Sequence, residues 1–168
     1  MSCPAQALTL ERAGLPLDSY FSASKLAWLL QHNDDAQRLA TRGQLRLGTT
    51  DAFFLQHLTG VCATDVTTAS RTGLMNLESG EWDGELCALF GVPVECLPPI
   101  RPTVTEFGSV AIDGLRLPIT ANATDQQAAL YGHGCRIAGD TKITFGTGAR
   151  LVSCRLQICC ILRYYSIY

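Results

Sequence analysis

The chain has 168 residues, 47% of them apolar and 17% charged, with a net charge of −2 and a pI near 5.9. That length supports one domain with a real core, and the weakly acidic balance excludes the basic stripe of a nucleic-acid binder and the basic amphipathic segment of a membrane-surface protein. No apolar run reaches the roughly 18 residues of a membrane-crossing helix, no charged-then-apolar leader opens the chain, so a cytoplasmic location is expected, and so few charges suggest surface covered by another domain or subunit.

Along the chain, Leu26, Leu29 and Leu30 recur at helical spacing with Trp28 beside them, and Ser22 or Ser24 can cap the start of this helix. Asp34 and Asp35 open a second helical stretch that runs through Arg42 and stops at Gly43. Residues 45–48 are short and strand-like, after which Asp51 reads as the cap of a helix over 52–58 closed by Gly60. Residues 73–77 alternate weakly toward the turn Ser79-Gly80, predicting a short strand or hairpin. Asp83 caps a helix through Phe90, stopped by Gly91 and Pro93, and Pro98, Pro99 and Pro102 read as a linker. Residues 115–121 form a strand that feeds a helix starting at Asp125, and a last strand over 142–145 runs into Gly146-Thr147-Gly148. Alternating strands and helices place the chain in the α/β class.

The cysteines follow irregular spacing without a CxxC pair and read as buried or free thiols. His32, His57 and His133 stand apart from any paired metal-ligand spacing, so no metal site is expected in the chain itself. From about Ser153 the pattern changes abruptly: the tail has no Gly, Pro, Asp or Glu and is rich in Cys and Tyr, and no function is assigned to it.

Four segments carry polar residues that chemistry can use. The first, Asp18-Ser19-Tyr20-Phe21-Ser22 leading into Lys25 and Gln31-His32, is on pattern alone a Ser-rich entry to an amphipathic helix. The second, Thr64 to Thr72, crowds small polar residues that make tight side-chain-to-backbone loops. In the third, Asp125-Gln126-Gln127-Ala128 follows a strand end. Open α/β sheets place ligand-binding groups there, and a plain helix-capping aspartate is the other reading. The fourth, Gly146-Thr147-Gly148, is either a tight turn or a place where backbone amides approach a phosphate.

In order and content, the four segments resemble the FGGY family of carbohydrate kinases, in its glycerol-kinase form. The resemblance runs from about residue 15 to 151. It implies a piece of a ribonuclease H-like (actin-like ATPase) fold. Residues 1–137 are then the later part of the N-terminal domain, 138–152 the opening strand of the C-terminal nucleotide-binding domain and 153–168 an atypical tail. It implies that Asp125 is the general base, that Tyr20 and Gln126 bind the polyol, and that Thr147 and Gly148 meet the phosphates of ATP, with Mg2+ as its companion. An aspartate suits the role, because a hydroxyl attacking a γ-phosphoryl must give up its proton. Two positions depart from the family: Thr124 replaces a glycine before the base, predicting a strained or shifted turn, and Arg150 replaces an aromatic residue at the substrate. The phosphate loop and the Arg-Glu polyol clamp of the family have no match in this chain. The expected function is ATP-dependent phosphorylation of a polyol, glycerol to glycerol 3-phosphate, by the full-length relative, which has room to be a homo-oligomer. The alternative is a non-catalytic fragment or interaction module.

Overall fold

The computed structural model describes residues 3–145 and 149–154. Among these, helices α1 (Pro4–Arg12), α2 (Ser22–His32), α3 (Asp34–Thr41) and α4 (Thr50–Thr59) precede the two-residue strand β1 (Thr64–Asp65). Then come α5 (Val66–Ala69), α6 (Gly84–Phe90), β2 (Ile100–Arg101), β3 (Ser109–Ile112), β4 (Leu115–Pro118), α7 (Asp125–Gly132), β5 (Thr141–Phe145) and β6 (Ala149–Ser153). The α/β class holds. β1 and β2 pair in parallel, while β3–β4 and β5–β6 are antiparallel hairpins.

The main core is built on one face of α2. Ala23, Leu26, Ala27 and Leu30 recur every three or four residues and pack with Leu47, Leu74, Val92 and Leu97. Cys87 of α6 and Cys96 complete that cluster as free thiols. Burial, then the negative charge of Asp83, pushes the Cys87 thiol up to about 11; burial likewise raises that of Cys96. Trp82 closes the edge of this core, its indole N–H donating to the Pro98 carbonyl at 2.8 Å. A second cluster, Leu55, Ala63 and Phe107, fixes α4 against the chain leading into β3.

Several local expectations are met. Asp83 caps α6 by accepting the N–H groups of Glu85 and Leu86, and Gly91 ends it at φ 68°, a left-handed turn that costs a glycine nothing. Residues 73–82 form the predicted hairpin in minimal form, a single antiparallel bridge between Met75 and Trp82.

Others are corrected. α2 is capped by neither Ser22 nor Ser24. Phe21 holds that position, Ser22 is the first helical residue, and the Ser24 hydroxyl donates back to the Ser19 and Phe21 carbonyls. Residues 45–48 form no strand, because one bond, Leu47 N–H to the Cys96 carbonyl at 2.8 Å, ties them to a helical turn rather than a ladder. The proline-rich linker contains β2: Ile100 and Arg101 lie between the prolines, pair with Thr64 and Asp65, and continue the bond from Thr64 N–H to the Pro99 carbonyl. β3 adds a strand beyond the expected one over 115–121, and the turn between them, Asp113-Gly114, has the two positive φ angles, 50° and 78°, of a tight hairpin.

Asp83 also joins α6 to α1. Its Oδ2 accepts from Arg12 Nη1 at 3.1 Å and from Asn76 Nδ2 at 2.9 Å. Burial pushes this carboxyl up, but hydrogen bonds from Asn76, the Leu86 N–H, Arg12 and the Glu85 N–H outweigh it and hold it at about 2 against the usual 3.8. Asp83→Ala is expected to cost about 2–4 kcal/mol at neutral pH in urea unfolding, from a lost cap and lost bonds to a charged group. A lowered carboxyl stabilises above its unfolded value. The gap between wild type and variant should therefore close as pH falls from about 4 to about 2.

Candidate active site

The site begins at a buried carboxylate. Asp65 ends β1, is wholly buried, and caps the one-turn helix α5. Its Oδ1 accepts from the N–H and hydroxyl of Thr68 at 3.0 and 2.6 Å. Its Oδ2 accepts from the N–H and hydroxyl of Thr67 at 2.9 and 2.7 Å, and from the Thr103 hydroxyl at 2.9 Å. Five donors around two oxygens fill a carboxylate's acceptor capacity.

The segment entering α7 hangs from this cluster. The Asn122 N–H donates to the Thr103 carbonyl at 3.0 Å, and Val104 bridges Ala121. The Thr124 N–H donates to the Thr67 hydroxyl oxygen at 3.0 Å. A hydroxyl has one proton, and Thr67 gives its proton to Asp65, so its lone pair faces Thr124. Asp51 supplies a second anchor: its Oδ2 accepts from the Thr64 hydroxyl at 2.7 Å and from Asn122 Nδ2 at 3.0 Å. Asp51 is thus no helix cap, as its position suggests. Thr49 precedes α4, and Asp51 lies in the first turn with its carboxylate turned toward the entry to α7.

Asp125 is the first residue of α7 and is exposed. Thr124, not Asp125, occupies the cap position, so the helix-cap reading of Asp125 is set aside. Thr124 sits at φ −69° and ψ 154°, ordinary extended backbone, so the strain expected from losing a glycine is absent. Instead its hydroxyl donates to Gln127 Oε1. The Asp125 carboxylate accepts the Gln126 N–H at 2.7 Å and faces Gln126 Nε2 at 3.4 Å. The other end of Gln126, Oε1, faces Lys142 Nζ at 3.3 Å and the Thr144 hydroxyl at 3.4 Å on β5.

Tyr20 lies in the loop before α2, 54% exposed, its ring edge-on to Phe21 at 5.6 Å. This loop is fixed to the far end of the same Thr-rich segment. The Ala23 N–H donates to the Thr72 carbonyl at 2.8 Å, and the Arg71 guanidinium lies 5.1 Å above the Phe21 ring. Residues 65–72 therefore serve as one scaffold, with the Tyr20 loop docked at one end and the Asp125 helix at the other. Thr147 and Gly148 lie outside the described residues, as does the Arg150 side chain.

Residues 5–132 match the N-terminal domain of the FGGY family of carbohydrate kinases. The chain belongs to the FGGY kinase family. A glycerol kinase from Geobacter sp. (strain M21) is 47% identical over 151 residues, which is 88% of this chain and 30% of the relative. The solved Plasmodium falciparum glycerol kinase with ADP superposes with a TM-score of 0.82 at 33% identity, over 88% of this chain and 30% of that one. A xylulose kinase from Rhodospirillum rubrum gives 0.71 at 26% identity, with 88% and 31% covered. The fold is accordingly part of the ribonuclease H-like architecture of FGGY sugar kinases, and the chain spans about 30% of the length of the relatives it matches.

Within this FGGY segment, Asp125 and Gln126 are neighbours on one helical turn, while Tyr20 lies on the loop docked at the opposite end of the 65–72 scaffold. Sequence reading missed Asp51, Asn122 and Thr103 as parts of the site. Thr64, Asp65, Thr67 and Thr68, by contrast, lie inside the polar run that local pattern singles out. Among the described residues, no group of three or more His, Cys, Asp or Glu side chains is arranged to hold a metal ion. Among them, too, no helix is long and apolar enough to cross a membrane.

Thr67→Val removes both the donor to Asp65 and the acceptor for Thr124. Amide exchange at Thr124, followed by NMR, is expected to accelerate, with a stability loss of about 1–3 kcal/mol. Thr67→Ser keeps both bonds and should restore slow exchange.

Proposed function

We propose that this chain carries the acceptor side of an ATP-dependent polyol kinase, with glycerol the favoured substrate and glycerol 3-phosphate the product. The observation that supports it best is the exposed Asp125 carboxylate, fixed at a helix start by a buried Asp–Thr relay with an amide donor beside it. Such a pair suits a hydroxyl, which donates to the carboxylate and accepts from the amide. In this reading Asp125 takes the proton as the hydroxyl oxygen bonds to phosphorus, Gln126 orients that oxygen, and Tyr20 lines the polyol. Phosphoryl transfer otherwise depends on positioning and charge neutralisation. ATP supplies the phosphoryl group with Mg2+ as its companion, and Thr147 and Gly148 meet its phosphates. Residues up to about 137 belong to the first kinase domain and the β5–β6 hairpin opens the second, in a cytoplasmic protein. The glycerol kinases among the relatives favour glycerol over other polyols.

A graft tests this. Residues 15–151 of this chain replace the matching segment of the Geobacter sp. glycerol kinase, and ATP-dependent glycerol phosphorylation is followed in a coupled assay. The graft is expected to turn over, and Asp125→Asn within it should lower kcat by about 100- to 10,000-fold. A graft indifferent to Asp125→Asn overturns the assignment of the base. The 168-residue chain alone, matching about 30% of a working relative, is expected to give no turnover. A second reading, a non-catalytic module that docks on another polypeptide, draws on Phe53, Phe54 and Leu58 of α4, all more than half exposed. An inactive graft together with capture of an intact kinase by the free chain would favour it.

A further inference from the structure

The Gln126 side chain is held between two elements and between two opposite electrostatic demands. Its carbonyl end lies 3.3 Å from Lys142 Nζ and 3.4 Å from the Thr144 hydroxyl. These two residues alternate along β5, so both side chains leave the same face of the strand, and both are half-buried there. The amide end lies 3.4 Å from Asp125 Oδ2. A primary amide has one accepting end and one donating end, and the two differ only by a half-turn about the last side-chain bond. An ammonium group can only donate, and an ionised carboxylate can only accept.

We propose that Lys142 is a positioning residue that fixes which end of the Gln126 amide faces the polyol; this rests on the kinase reading of the same site. With the carbonyl committed to Lys142, the NH2 group is delivered beside Asp125. A reversed amide would set its oxygen against the carboxylate and its NH2 against the ammonium, two repulsions in place of two attractions. Each contact is long, so neither alone is strong. The orientation comes from their having opposite sign at opposite ends of one rigid group. The site then shows one acceptor and one donor side by side, which selects a hydroxyl over a carbonyl or ether oxygen. A carbonyl or ether oxygen can use the Gln126 donor but leaves the Asp125 acceptor unmatched. Lys142 thus contributes to substrate class without touching the substrate. Thr144 supports the same orientation but can donate or accept, so it cannot enforce it.

The test uses the 168-residue chain, isotope-labelled, with the Gln126 side-chain NH2 signals followed by NMR through an acid titration. In the wild type these signals are expected to move as Asp125 titrates, and Asp125→Asn should abolish the movement. Lys142→Arg, which keeps a cation with only donors, should retain it. Lys142→Met should lose it, and Thr144→Val should keep it. A Lys142→Met chain whose Gln126 signals still follow Asp125 overturns the proposal. So does a wild-type amide that never responds, a result that needs no variant to fold. Adding glycerol to the wild type separates the two readings. Glycerol-induced shifts at Gln126 speak to the kinase assignment, whereas the lysine dependence is read without ligand.

Discussion

The structure around the site depends on one buried carboxylate. Asp65 is fully removed from water, and removing such a group without partners costs several kcal/mol. Its partners are two consecutive threonines, each giving both its N–H and its hydroxyl, and a third threonine 38 positions away. The first four bonds force α5 into its single turn. The fifth draws the strand-bearing segment after β2 onto it. Local geometry and long-range topology are thus set by the same two oxygen atoms.

From that point the order of assembly in space follows. α5 offers the Thr67 lone pair to Thr124 at one end and the Thr72 carbonyl to Ala23 at the other. Asp51 repeats the device one layer out, joining α4, β1 and the entry to α7 through Thr64 and Asn122. Asp125 needs no hydrogen bond to the core of its own. Its direction is inherited from the backbone before it, and its carboxylate stays exposed.

How much of this was legible in the sequence depends on the range of the interaction. α6 was readable because Asp83 and Gly91 act within one turn of the helix they bound. The α7 start at Asp125 was readable from the change out of the strand-like run before it, although Thr124 and not Asp125 holds the cap position. Residues 45–48 were misread because an apolar run of strand length says nothing about a partner, and none pairs with it among the described residues. Asp51 was misread because a polar residue at a helix start looks like a cap whether its side chain turns inward along the helix or outward to Asn122, 71 positions later. The three prolines masked β2, although the two residues between them keep their N–H groups. The Asp113-Gly114 turn is itself a local hairpin signal, set between β3 and β4. The candidate site residues Asp125, Gln126 and Tyr20 rest on resemblance, not on pattern, since pattern alone favours a helix cap and a core helix at those places.

The cysteines of the main core have a practical consequence. Cys87 and Cys96 are buried, and their thiols are pushed toward the neutral form. A neutral, shielded sulfur reacts slowly with alkylating reagents. Cys3 is exposed to the reagent. The difference in labelling rate makes the chain its own reporter. Modification at Cys3 clocks the reagent, and modification at Cys87 or Cys96 counts the moments when the packing between α2 and α6 comes apart.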